Sequence, residues 1–251
     1  MKRKTLCRVL VTTGFLLAMR MPAVAQQAAA QPPPPPPKRE GSADFAFVGT
    51  TGNSSTESLG FGGEFIARPD PWELSAKANY IRNESDSVLS AESVAVTTKA
   101  ARAINPRVSV FGRYTYLRDE FSGIVARNGV EGGISYALIN TPPNLLTVDG
   151  GIGYAHETRV VPPNISTATL PTGVVYKLKI SDTTELNEEA RWVFSLSNGS
   201  DWRFANVFSV AAKMTSILSL KVSNTVRFVN EPPPGFRQTD TTTAIALVAK
   251  F

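Results

Sequence analysis

Thiol and imidazole chemistry has almost nothing to work with in this chain. Its 251 residues hold one Cys and one His. Cys7 lies in a short N-terminal segment, so a disulfide framework is excluded for the rest. A zinc-type centre needs several Cys, His or carboxylate ligands together, and the lone His156 offers no such cluster. Beyond residue 25, no apolar run approaches the roughly 18 residues that a helical membrane span needs. Acids are missing from residues 1–25, where Lys2, Arg3, Lys4, Arg8 and Arg20 stand. Setting those bases aside leaves Lys plus Arg equal to Asp plus Glu at 21, so the net charge of +5 belongs to that segment. A nucleic-acid partner has no electrostatic basis in the remainder.

The first 25 residues read as a secretory signal peptide. A basic start precedes an apolar stretch from Leu6 to Met19, and Ala23-Val24-Ala25 supplies the small-x-small cleavage pattern. Residues 26–40 form a linker whose run Pro32 to Pro37 favours a stiff polyproline II rod. It reads as a spacer, with a docking peptide as the alternative.

From residue 41 to 251 the dominant period is two. Trp72, Leu74, Ala76, Ala78 and Tyr80 alternate with Glu73, Ser75, Lys77 and Asn79, and Leu218, Leu220 and Val222 alternate with Ser219, Lys221 and Ser223. A strand gathers each set on one face, whereas a helix would scatter it. About twelve such segments appear, near 43–52, 57–68, 72–82, 91–103, 107–118, 125–138, 145–156, 172–180, 184–196, 202–214, 217–229 and 240–251. Most reach the length a tilted strand needs to cross a bilayer. The prolines beyond the tract, Pro171 included, fall between these segments or at their edges.

Short turns are expected around 68–71, 104–106, 140–143, 181–183 and 215–216. Longer loops are expected at 83–90, 118–124, 157–169 and 230–239. Short turns at one end and longer loops at the other are the pattern of an outer-membrane barrel with periplasmic turns and extracellular loops. One face carries Phe45, Phe61, Val94, Val96, Tyr114, Ile152, Trp192 and Phe208, as lipid contact requires. Trp72, Tyr80, Tyr116, Tyr154 and Phe228 lie toward strand ends, where aromatic belts sit. Glu188 departs from this face, which a bulge or a place near the periplasmic interface would explain. The competing fold is a soluble two-sheet sandwich with the same alternation.

The opposite face is polar. It carries Arg68, Lys77, Lys99, Arg113, Arg127, Lys177, Lys179, Arg191, Arg203, Lys213, Lys221, Arg227 and Lys250. Its acids are Asp44, Glu64, Glu73, Glu131, Asp149, Glu185, Glu189 and Asp240, which leaves an excess of bases. A polar conduit and a salt-bridged plug both fit this face. Twelve strands about 4.8 Å apart and tilted about 40° give a backbone radius of roughly 12 Å. Such a lumen, narrowed by side chains, would conduct weakly and prefer anions.

Other constellations are weaker. Gly60-Phe61-Gly62-Gly63 and Gly150-Gly151-Ile152-Gly153 lie inside strands with no helix following, so they relieve crowding rather than cradle phosphate. An outer-membrane phospholipase is the alternative function. It needs a serine beside His156, and Ser197 is remote in sequence with no nucleophile evident. No catalytic residue, cofactor or metal site is assigned. The final strand ends in Ile245, Leu247, Ala249 and Phe251, an alternating apolar set closed by an aromatic that reads as a signal for the barrel-assembly machinery.

Several stretches carry a family resemblance. They are Thr51-Gly52-Asn53-Ser54-Ser55-Thr56, Phe111-Gly112-Arg113-Tyr114, Arg118-Asp119-Glu120-Phe121-Ser122-Gly123, Lys179 to Thr184, and Pro232-Pro233-Pro234-Gly235-Phe236 with Thr239-Asp240-Thr241-Thr242-Thr243. The chain resembles the YdiY-like family, labelled salt-induced outer-membrane proteins and classed as a domain of unknown function. The likeness covers roughly residues 44–251. The resemblance implies a Gram-negative outer-membrane barrel; from that placement contact with outer-membrane lipid and lipopolysaccharide is expected, and from the polar inner face small ions or solutes are the candidates for the lumen. The likeness implies no substrate.

Overall fold

The computed structural model describes residues 36–50 and 56–251. The expected signal segment and most of the 26–40 linker lie outside the described residues. The alternating segments become twelve strands: β1 (Arg39–Thr50), β2 (Thr56–Ala67), β3 (Trp72–Ser85), β4 (Val88–Ala103), β5 (Val108–Asp119), β6 (Ile124–Thr141), β7 (Asn144–Arg159), β8 (Ile165–Lys179), β9 (Thr184–Ser195), β10 (Trp202–Lys213), β11 (Leu218–Val229) and β12 (Thr239–Lys250). Each pairs antiparallel with its neighbours in chain order, and β1 closes on β12 to complete a barrel. The seam is short. β1 pairs with β2 from Arg39↔Ala67 to Thr50↔Thr56, but with β12 only over Ser42↔Lys250 to Phe45↔Leu247.

Closure decides between barrel and sandwich, and burial agrees. A sandwich hides its apolar face, yet the buried apolar residues here are only Phe111, Ile124, Ala155, Ala246 and Val248 among the described ones. Phe45, Phe61, Ile152, Ile245 and Leu247 are exposed, with Ile152 at 70%. Apolar residues outside and charges inside suit a barrel standing in lipid.

Three local expectations need correction. β8 begins at Ile165, not near 172, so Pro171 lies inside a strand. Proline has no N–H to give, and the β7–β8 register is interrupted there, between Gly150↔Thr172 and Gly153↔Thr169. On the other side Pro171 still stands opposite Val193. The expected loop at 83–90 is a hairpin turn, with Asp86 and Ser87 both left-handed (φ 49° and 63°), the backbone of a two-residue reversal. The strands extend where long loops were expected, so most connections at the two ends are of similar length. The nine-residue segment 230–238 is the exception. Finally, Arg39 and Glu40 belong to β1 rather than to the linker.

Candidate functional site

Register assigns one parity of every strand to the interior, and the bonds between non-adjacent strands show what that parity brings together. At mid-height Arg113 on β5 bonds Glu131 on β6 at 2.8 Å and Asp149 on β7 at 2.7 Å. Arg191 on β9 reaches the same Glu131 from the far side. Phe111, 6% exposed, fills the space beside them, with the Lys99 ammonium 4.5 Å and the Arg113 guanidinium 5.0 Å from its ring centre. A cation over a ring face is attracted by the ring quadrupole, so an inward aromatic fits this charged surface. Glycine makes the room. A Cβ on Gly173 would stand 2.4 Å from Asp149 Oδ1, and one on Gly151 2.3 Å from the Gly132 carbonyl oxygen.

Two ion pairs span the lumen between strands six places apart in the closed order. Lys77 on β3 meets Glu189 on β9 at 3.7 Å, and Arg227 on β11 meets Asp119 on β5 at 3.5 Å. A circular twelve-stranded section is roughly 24 Å across its backbone, more than the roughly 15 Å an extended Lys–Glu pair covers. The lumen is therefore narrower than the circular estimate. Nearer the strand termini Lys221 pairs with Asp44, and Lys250 with Glu185 at 3.3 Å. Lys177 and Lys213 face inward near the β8–β9 and β10–β11 turns, with no ion pair among the described residues.

Toward the opposite end Glu157 is fully buried (0% exposed) and receives three arginines. Arg127 and Arg203 reach one carboxylate oxygen at 2.8 and 2.7 Å, and Arg159 reaches the other at 2.7 Å. Sequence reading placed Glu157 and Asp119 in loops and Glu40 in the linker. All three have inward parity, and with them the basic excess of the interior shrinks even after Arg159 is added. The missed signal was parity itself, since Glu157 and Arg159 continue the inward series of Asp149, Gly151, Gly153 and Ala155.

At the rim, two of the stretches that carried the resemblance meet. Ser122 Oγ donates to Asp240 at 2.8 Å, and a Cβ on Gly123 would stand 2.8 Å from both Pro233 and the Phe236 ring. Gly123 is left-handed (φ 81°) and closes the single 3₁₀ turn Glu120–Ser122, capped by the Asp119 carboxylate accepting from Ser122 N. The 230–238 segment thus lies against the β5–β6 turn from across the mouth.

His156 faces outward, in register with Asn128 on one side and Ser166 on the other. Its Nδ1 lies 2.7 Å from Ser166 Oγ, so a hydroxyl does stand next to it, contrary to the sequence reading. A hydrolytic dyad further needs a group that orients the second ring nitrogen, and His156 Nε2 has no hydrogen-bond partner among the described residues. Ester hydrolysis by the purified barrel is expected to stay at background, unchanged in His156→Ala and Ser166→Ala. Turnover abolished by either change would establish a dyad. The described residues hold no group of three metal-ligating side chains.

A family profile described as "Protein of unknown function, DUF481" matches residues 43–251. The chain belongs to the DUF481 family. The match takes in β2 to β12 whole and β1 from Ala43 onward, so the DUF481 match runs over nearly the entire barrel. No curated protein matches it. Among solved structures, an outer-membrane channel from Pseudomonas putida F1 is similar at a TM-score of 0.50 and 10% identity, covering 88% of this chain and 100% of that one. The NanC porin gives a TM-score of 0.50 at 10% identity, covering 84% and 98%. The translocator domain of the autotransporter NalP from Neisseria meningitidis gives 0.49 at 13%, covering 87% and 90%. At such identities the likeness concerns the fold alone: the DUF481 barrel is built like outer-membrane barrels.

Proposed function

We propose that this protein is a narrow outer-membrane pore of low conductance with a weak preference for small anions, and not an enzyme. One observation carries the reading. Most inward acids are taken up by ion pairs, whereas the inward Lys99, Lys177 and Lys213 have no acidic partner within ion-pair distance among the described residues. Unmatched bases along a confined path attract anions. Glu64 and Asp240, inward without an ion pair, weaken the preference, and the spanning pairs keep the conductance small. Export by a cleaved signal peptide, contact with outer-membrane lipid and lipopolysaccharide, and delivery by the barrel-assembly machinery complete the reading.

The test is a reversal potential across a planar bilayer at low salt, where screening is least. The unmodified barrel should show anion preference. Lys177→Glu with Lys213→Glu should shift the potential toward cations, because neither change strands a partner acid. Arg113 and Lys221 are poorer choices, since each holds a carboxylate. Clear cation preference in the unmodified protein would overturn the proposal. A second reading, a closed structural barrel, rests on Lys77–Glu189 and Arg227–Asp119 spanning the lumen. Absence of conductance would favour it.

A further inference from the structure

Four polar side chains interrupt the outer wall in the middle of consecutive strands. Glu188 on β9, Asn206 on β10, Asn224 on β11 and Thr243 on β12 share the outward parity of Trp192, Phe208, Leu220 and Ile245. Glu188, Phe208, Asn224 and Thr243 stand in one register row, and Asn206 is two residues along from Phe208. No register shift interrupts this row, so of the two explanations offered for Glu188 the bulge is absent, and its carboxylate faces outward. Across the barrel, the mid-strand outward positions of β3 to β6 are Ala78, Val96, Tyr114 and Val130, and of these four only Tyr114 bears a polar atom, a hydroxyl that donates to Asn128 Oδ1 at 2.8 Å.

The polar set is only half satisfied from within. Asn206 Nδ2 donates to one Glu188 oxygen, and Asn224 Nδ2 donates to Thr243 Oγ1 at 2.9 Å. The carbonyl oxygen of each amide and the second Glu188 oxygen have no partner among the described residues. Each amide also keeps a second N–H. Lipid offers such groups nothing, and a carboxylate at this depth is costly. A surface holding both donors and acceptors can satisfy itself across a two-fold axis, each carboxylate taking an amide N–H from the same wall of a second copy.

We infer that the β9–β12 wall is where a second copy of this chain docks within the bilayer, held by Glu188, Asn206 and Asn224. The inference rests on the membrane placement proposed above but not on conduction.

Site-directed cross-linking tests it. In the full chain with Cys7→Ser, Val222→Cys places a thiol on this wall, and Val110→Cys places one on the strand six places away. A bilayer-soluble maleimide should label both in membrane fractions. A short bismaleimide should give a product of twice the barrel mass from Val222→Cys, several-fold above that from Val110→Cys. Glu188→Leu with Asn206→Leu and Asn224→Leu should remove most of that product while the barrel stays folded by heat-modifiability. Equal cross-linking at both sites, persistence in the triple variant, or an adduct of another mass would each overturn the inference. Failure of the maleimide to label either site would instead sink the membrane placement beneath it.

Discussion

Removal of Phe251 is expected to lower the amount of folded, heat-modifiable barrel several-fold. The seam explains why one residue weighs so much. β1 and β12 share a register only from Ser42↔Lys250 to Phe45↔Leu247, and Phe251 adds two further backbone bonds. Its N–H donates to the Gly41 carbonyl at 3.0 Å, and its carbonyl accepts from Gly41 N at 2.8 Å. The ring, 79% exposed, lies over Gly41, where a Cβ would stand 2.5 Å from it. Each hydrogen bond contributes only about 1 kcal/mol in water, but an unpaired strand end facing lipid has no solvent to replace it. Two variants separate the contributions. Phe251→Ala keeps both backbone bonds and loses the ring, while Gly41→Val keeps the C-terminal ring but pushes it off the wall. If assembly depends on the ring as a recognition element, Phe251→Ala should match the deletion. If closure of the seam dominates, it should fall well short of it. Unchanged assembly in the deletion would show that the last strand is neither signal nor seal.

The barrel itself was legible because lipid imposes a strong preference. Outward residues are apolar along most of each strand, so Trp72 to Tyr80 and, Asn224 apart, Leu218 to Phe228 announce their strands by alternation. That preference lapses where a strand rises beyond the apolar band, so Glu157 and Asp119 passed for loop residues although the ladder continues through them. Parity also gives a side chain its face but not its height. Nothing in the order of residues says that Lys77 reaches Glu189 or that three arginines share Glu157. Those pairings depend on shear and on how far the wall is drawn in, which are properties of the closed barrel.

Glu157→Leu should destabilise the barrel by about 3–5 kcal/mol, the cost of stripping the partner from buried charge. Arg127, Arg159 and Arg203 would be left together, with Asp201 alone nearby at 3.6 Å from Arg203. Arg159 already has a buried guanidinium nitrogen without a hydrogen-bond partner, so the cluster has little slack to rearrange. Guanidinium unfolding of the barrel in detergent would measure the loss. A second change sharpens the test: adding Arg203→Met to Glu157→Leu should recover part of the stability, because it removes one of the stranded charges. Near-neutral behaviour of Glu157→Leu alone would mean that water reaches the cluster and supports the arginines.

The seam bonds and the Lys221–Asp44 pair also set an order of events. Lys221 and Asp44 are 177 residues apart in sequence, and Ser122 and Asp240 are 118 apart. Contacts of such separation form late, after the local hairpins, because loop closure must be paid for before they reward it. A partly zipped sheet would expose both the free edge of β1 and a concave row of charges, neither of which hydrocarbon can accept. Hairpins can therefore accumulate at the membrane surface, but entry into the bilayer and joining of the first strand to the last have to be nearly simultaneous. The rate-limiting step of assembly then belongs to one closing event, and its rate should respond to changes at Gly41, Asp44, Lys221 and Phe251 far more than to changes within any single hairpin.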